Sequence, residues 1–314
     1  MSTSTERKVR RDSQWMTRCW AVVKYELLWN IRKKKILGVV AIAFALATLS
    51  FLLPVILSRM ASRPLNPNPD YVVSIGVGIG GLGFFLFAVV TAMNSISGEF
   101  ESGTIVTLLT KPVSRTMVFL SKMFAAFITL LLAYTVLFVY TAVGGAIVYG
   151  PQNNLHLIVL TLLGSILSTF VWAAITFALG SLSKSSLIAA LGTFGIFIAL
   201  TISHPIISIF SNQAWVLNYI PGNGITGLIQ DLGRSISSGT DNLAANLLTY
   251  VLHPASEVTF YKIDALNLGP SSSIELYTEP LSLVMLRSMT VAVVYIVVFS
   301  LLAWYALKRA QIVE

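Results

Sequence analysis

The chain has 314 residues, of which 55% are hydrophobic and 11% charged, with a formal net charge of +8. Soluble domains carry about 25% charged residues, so the composition excludes an ordinary soluble domain and points to an integral membrane protein. The single cysteine, Cys19, excludes an internal disulfide framework and any multi-cysteine metal site.

Residues 1–35 read as a basic tail ahead of the first apolar run. Within it Trp15, Cys19, Val23, Leu27 and Ile31 recur every four residues, with Met16 and Trp20 beside them. Arg18, Lys24 and Arg32 fall mostly on the other side. A basic amphipathic helix carrying tryptophans lies in the headgroup plane, so an interfacial helix is expected over residues 14–35. Glu26 and Asn30 interrupt its apolar stripe. The alternative is a plain topogenic tail. A nucleic-acid arm fits poorly, since the basic residues abut a span. Ala45-Leu46-Ala47 resembles a leader cleavage site, but the apolar run continues to Leu57, which argues against a secretory signal.

Six apolar runs follow: Ile36–Leu57, Tyr71–Ile96, Phe119–Tyr149, Leu155–Gly180, Leu187–Phe210 and Val284–Leu307. A bilayer core needs about 20 helical residues, and each run reaches that length. The expected fold is an all-α integral membrane protein, residues 36–314 forming a six-helix transmembrane domain. His204-Pro205 is expected to kink or end the fifth helix. In the second run, Gly76, Gly78 and Gly81 spell a dinucleotide fingerprint. That motif needs a soluble strand before it and a helix after it; inside a span, small residues serve close helix packing. The glycine run is therefore expected to pack against another helix, at or near a contact between two copies of the chain.

Lysine and arginine choose the orientation. Ten precede the first span, and Lys111, Arg115, Lys122, Lys184, Lys308 and Arg309 lie on the same side, against Arg59 and Arg63 in short loops opposite. Both termini are thus expected in the cytoplasm, as is the turn-rich cassette 97–118. The segment 211–283 is expected outside. Its Trp215–Gly233 stretch is apolar but broken at Pro221-Gly222-Asn223-Gly224. Two readings stay open for it: a partly re-entrant dip into the outer membrane, or a small lobe with its own core.

Motifs for chemistry are missing. The chain has no G-x-x-x-x-G-K-[ST], no H-E-x-x-H and no G-x-S-x-G, and His156, His204 and His253 are far apart. Glu99 and Glu101, two residues apart, fall on different helix faces and make a poor acid/base pair. No catalytic residue, cofactor or metal is expected in this chain. The spans are also poor in the ionisable residues that carriers use, and Arg287 is placed to snorkel at one span end. Energy for transport is then expected from outside the chain.

The cassette Ser97–Arg115 is different. Thr104 can cap a short helix with Ile105, Leu108 and Leu109 on one side, Pro112 ends it, and Ser114 can cap the next. Such a helix lies across the base of two spans, either packed on its own protein or sunk into a partner's groove. The pattern Gly98-Glu99-Phe100-Glu101-Ser102-Gly103-Thr104, Leu108-Leu109, Lys111-Pro112-Val113-Ser114-Arg115 and Lys122 resembles the hallmark of ABC-2 type permeases, the membrane subunits of one class of ATP-binding-cassette transporters. Lys24-Tyr25-Glu26-Leu27 before the first span is similar to that family too. The resemblance implies a coupling helix in this loop that docks on a separate ATPase, with ATP and Mg bound there and not here. It implies that Glu99, Glu101, Gly103, Thr104, Leu108, Leu109, Lys111, Pro112 and Arg115 transmit ATP-driven motion, with Lys184 in a second contact. It also implies a permease dimer in the plasma membrane, a substrate path between the copies, and export. Lipid surrounds such a protein, and an extracytoplasmic partner is a further expectation; nucleic acid is not. Competing readings are a secondary carrier working without an ATPase, and a membrane scaffold or assembly factor.

Overall fold

The computed structural model describes residues 2–32, 34–62, 72, 80–104, 114–210, 214–222, 224–263 and 273–310. Among them run α1 (Ser2–Arg32), α2 (Lys35–Met60), α3 (Gly80–Ala92), α4 (Ser97–Glu101), α5 (Arg115–Tyr149), α6 (Ile158–Ser183), α7 (Ser186–Phe210), α8 (Leu243–Leu252) and α9 (Leu281–Arg309). Six stretches are long and apolar enough to cross a membrane: Val40–Met60, Gly81–Glu101, Arg115–Tyr149, Leu155–Ser183, Ser186–Ser208 and Leu281–Arg309. Each overlaps one of the six apolar runs; residues 71 and 73–79 of the second run lie outside the described residues. Pro205 does not end α7, which continues to Phe210; membrane helices tolerate an internal proline where neighbours re-satisfy the freed carbonyl.

α6 is the hub of the bundle, with α3, α5, α7, α8 and α9 packed around it. Trp172, Ala173, Ala174, Ile175, Phe177 and Ala178 form a continuous buried stretch along it. Its small residues let neighbours approach closely, since packing rather than a hydrophobic force joins helices in lipid. Ser165 and Thr169 donate to carbonyls one turn back, and Tyr134 of α5 shares a 2.6 Å hydrogen bond with Thr169. The outward faces of α2, α7 and α9 display leucine, isoleucine and valine. That surface is unfavourable in water and matched to hydrocarbon.

Between α7 and α9 the chain builds a lobe. Strands β1 (Thr226–Ile229), β2 (Arg234–Ser237), β3 (Glu257–Ile263) and β4 (Ser273–Pro280) form an antiparallel sheet in the order β2-β1-β3-β4. The β1–β2 hairpin turns through Gly233 at φ +57°, a conformation that favours glycine. Ile225, Ile229, Ile236, Val258 and Phe260 close a core on Leu281 and Val284 at the start of α9. A lobe with its own core is therefore present, and its sheet departs from the all-helical pattern of the spans. The two four-residue strands carry Thr, Gly, Ser and Arg, too little alternation to read as sheet.

The lobe is seated deep against the bundle. α8 runs along the half of α6 nearer Ile158, where a Cβ on Gly164 would lie 2.6 Å from Ala244 Cα. Further along α6, Ser168 Oγ donates to the Thr240 carbonyl at 2.6 Å, and Trp172 Nε1 donates to Asp241 Oδ1 at 3.2 Å. Gly81 meets the same carboxylate: a Cβ there would be 2.7 Å from Asp241 Oδ2. Gly81 thus makes a close contact within its own chain. Gly76 and Gly78 lie outside the described residues. Arg287 near the start of α9 pairs with Glu279 of β4, Nη1 donating to Oε1 at 3.0 Å with Nη2 2.9 Å from Oε2.

Candidate functional site

Glu99, Glu101 and Arg115 of the cassette meet side chains or backbone of α5, α7 and α9 at one end of the bundle. α1 crosses the start of α5 there. Cys19 Sγ and Ser121 Oγ are 3.1 Å apart, and Val23 is buried. Trp15, Met16, Trp20 and Trp29 stay exposed, as a helix at a headgroup surface requires. Glu26 does not merely interrupt the apolar stripe. It is 3% exposed, and Lys122 of α5 donates to its Oε1. The same ammonium donates to Glu99 Oε1 at 3.1 Å. Lys122 itself is 2% exposed. Two carboxylates from distant parts of the chain thus share one buried cation.

The cassette is anchored at further points. Glu99 also accepts from the Thr104 hydroxyl, which shares a 2.9 Å hydrogen bond with Ser102 Oγ. Gly103 turns the chain between them at φ +68°. Glu101 points away from Glu99, as their spacing requires, and caps α7: its Oε1 accepts from Ser186 N at 2.7 Å and Ser185 Oγ at 3.1 Å, and its Oε2 from Ser186 Oγ at 2.6 Å. A carboxylate at a helix N-terminus satisfies an amide without an intrahelical partner and complements the helix dipole. Lys184 ends α6 in the left-handed conformation and holds its ammonium 5.6 Å from the centre of the Phe100 ring.

At the far end of the cassette, Ser114 caps α5 as expected, accepting from Met117 N at 3.1 Å. Arg115 Nη1 donates to the carbonyls of Leu307, Lys308 and Ala310 at 3.2, 2.9 and 2.8 Å. Those are groups at the C-terminus of α9 that have no intrahelical donor. Leu108, Leu109, Lys111 and Pro112 lie outside the described residues, as does the helix expected after Thr104.

The cassette therefore enters and leaves through side chains bonded to α1, α5, α7 and α9. The anchors at Glu99, Glu101 and Arg115 are charged hydrogen bonds, stronger than neutral ones. Sequence reasoning did not foresee that Glu26 pairs with Lys122, or that Ser185 and Ser186 donate to Glu101. A signal for Glu26 exists: an ionisable residue on a buried helix face demands a partner of opposite sign.

Six apolar spans, a bracing amphipathic helix and a charged loop locked to the helix ends make a multi-pass membrane permease. The family model described as ABC-2 family transporter protein matches residues 20–312, and the chain belongs to that family. No curated protein gives a significant match to the chain.

Proposed function

We propose that this chain is the transmembrane subunit of an ABC exporter, working as a pair and driven by a separate cytoplasmic ATPase that binds the ATP and Mg. The chain itself does no covalent chemistry in this reading. The carrying observation is the anchoring of the cassette: Glu99 to Lys122, Glu101 to α7 and Arg115 to α9. A loop built to receive force from below and tilt several spans has this form. Glu99, Glu101, Gly103, Thr104 and Arg115 then set the lever in place, and Leu108, Leu109, Lys111 and Pro112 meet the ATPase. Lys184, beside Phe100, extends that contact surface. Purification from native membranes tests the reading: a stoichiometric cytoplasmic ATPase and a cross-linked permease dimer are expected.

One observation favours a second reading, a carrier that needs no ATPase. Asp241 is a buried carboxylate set against α6 beside Trp172, and proton- or ion-coupled carriers use such groups. Recovery of the permease alone, still active in vesicles without ATP, would select the carrier.

The charge bias of the loops supports cytoplasmic termini in the plasma membrane. With Cys19 replaced by serine, single cysteines at Ser102 and Gln311 should resist an impermeant thiol reagent in intact cells. Those at Asn68 and Ser271 should label. Labelling of Ser102→Cys from outside would reverse the orientation and remove the coupling argument.

A further inference from the structure

A cavity of about 280 Å³ lies between α3, α6, α7 and the lobe. Its walls mix apolar groups with polar ones, Thr201, Ser203 and His204 among them. Phe197 and Trp172 meet edge to face with ring centroids 5.4 Å apart, and Leu200, Leu217 and Ile220 add aliphatic surface. One carboxylate lines it. Asp241 is 4% exposed, and its Oδ1 accepts from Trp172 Nε1 at 3.2 Å and Thr240 Oγ1 at 3.4 Å. No described residue donates to Oδ2, which lies against Gly81. Among the described residues no lysine or arginine lines the cavity; the other titratable group there is His204, whose Nε2 is 3.0 Å from the Gly224 carbonyl.

Burial pushes the Asp241 carboxyl up to about 6, so a cation bound beside it would favour the ionised form. A buried charge without a counter-ion is unfavourable, and among the described residues no lysine or arginine lines the cavity. The arrangement holds that carboxylate firmly all the same: Ser168 and Trp172 both fix the backbone and side chain of residues 240–241. We propose that the cavity binds an apolar organic cation, a protonated amine on a hydrophobic body, with Asp241 as its counter-ion. Aromatic faces attract such cations, and apolar surface with a few fixed polar groups is the usual form of a small-molecule site. Calcium takes six to eight oxygen ligands, and Asp241 is the one carboxylate among the described lining residues. That this molecule is the transported substrate rests on the exporter reading; its binding does not.

The test uses the full chain, purified without any ATPase, and three probes of like size: phenethylamine, phenethyl alcohol and hydrocinnamate. Binding is measured by calorimetry and by the shift in melting temperature at neutral pH. Phenethylamine should bind and raise the melting temperature, and the neutral and anionic probes should not. Asp241→Asn should weaken amine binding by about tenfold or more, the loss of roughly one charge-assisted contact. It should melt no lower than the natural protein, since asparagine keeps an oxygen for Trp172 and removes the unmatched charge. Equal binding of the alcohol and the amine would overturn the proposal, as would unchanged amine binding by Asp241→Asn. Sodium, potassium or calcium salts that reproduce the shift would overturn it too. If Asp241→Asn fails to fold, the choice between amine and alcohol in the natural protein decides alone. Amine binding without ATP-driven transport would retire the exporter reading and keep the site; ATP-driven transport without amine binding would do the reverse.

Discussion

Lys122→Met should destabilise the permease by about 3–5 kcal/mol, the usual effect of removing one partner from a buried ion pair. The geometry makes the effect lopsided. Glu26 and Glu99 share the one ammonium, with side-chain exposures of 5% and 16% against 2% for the lysine. Removing Lys122 leaves the buried Glu26 and partly buried Glu99 carboxylates without their shared cation, and among the described residues Glu26 then has no donor. Removing a carboxylate instead leaves a balanced pair. Glu26→Gln should therefore be mild, because the amide oxygen still accepts from Lys122 and the Lys122–Glu99 pair survives. The double variant Glu26→Gln with Lys122→Met should recover part of the loss. Melting temperature in detergent and yield of folded protein read all three. Equal losses for Glu26→Gln and Lys122→Met would mean that the position, not the charge, matters. A Lys122→Met protein that melts like the natural one would remove the triad from the account of the fold.

The spans were legible because membrane helices need only length and apolarity, and all six apolar runs became helices. The Ser114 cap was legible because capping is local: its hydroxyl meets an amide three residues on. What stayed hidden was non-local. Glu26 and Lys122 are 96 residues apart, and Asp241 and Trp172 are 69 apart. No periodicity links such pairs. Glu26 looked like a flaw in an apolar stripe because the stripe was read for its lipid face, whereas that side of α1 packs on α5. The sheet was hidden for another reason. A strand of four residues shows no more than two alternations, and β1 and β2 spend theirs on glycine and serine. For Glu101, the residue type announced a charge at the surface, but not that Ser185 and Ser186 would come to it.

That last point changes what a test of the cassette should compare. Leu108→Asp is expected to release the ATPase, or to abolish transport, while the membrane fold stays intact. The proposed contact is apolar, and a charge buried there without a partner is strongly unfavourable. Co-purified ATPase should fall by about tenfold or more, since about 1.4 kcal/mol already changes binding tenfold. Glu101→Lys is the wrong mild control. It removes the cap of α7, at about 0.5–2 kcal/mol, and sets a cation at the positive end of a helix, so it should lower stability as well as coupling. Lys111→Glu is the better comparison: a charge at the edge of a contact mainly affects orientation and the rate of association. Ser271→Asp, on the opposite face, should change nothing. The expected order is thus a large coupling loss with normal melting for Leu108→Asp, a slower and salt-sensitive association for Lys111→Glu, and a lowered melting temperature for Glu101→Lys. If Leu108→Asp still binds the ATPase and transports normally, the middle of the cassette makes no apolar contact with a partner. The anchors at Glu99, Glu101 and Arg115 would then serve only to brace the chain's own helix ends.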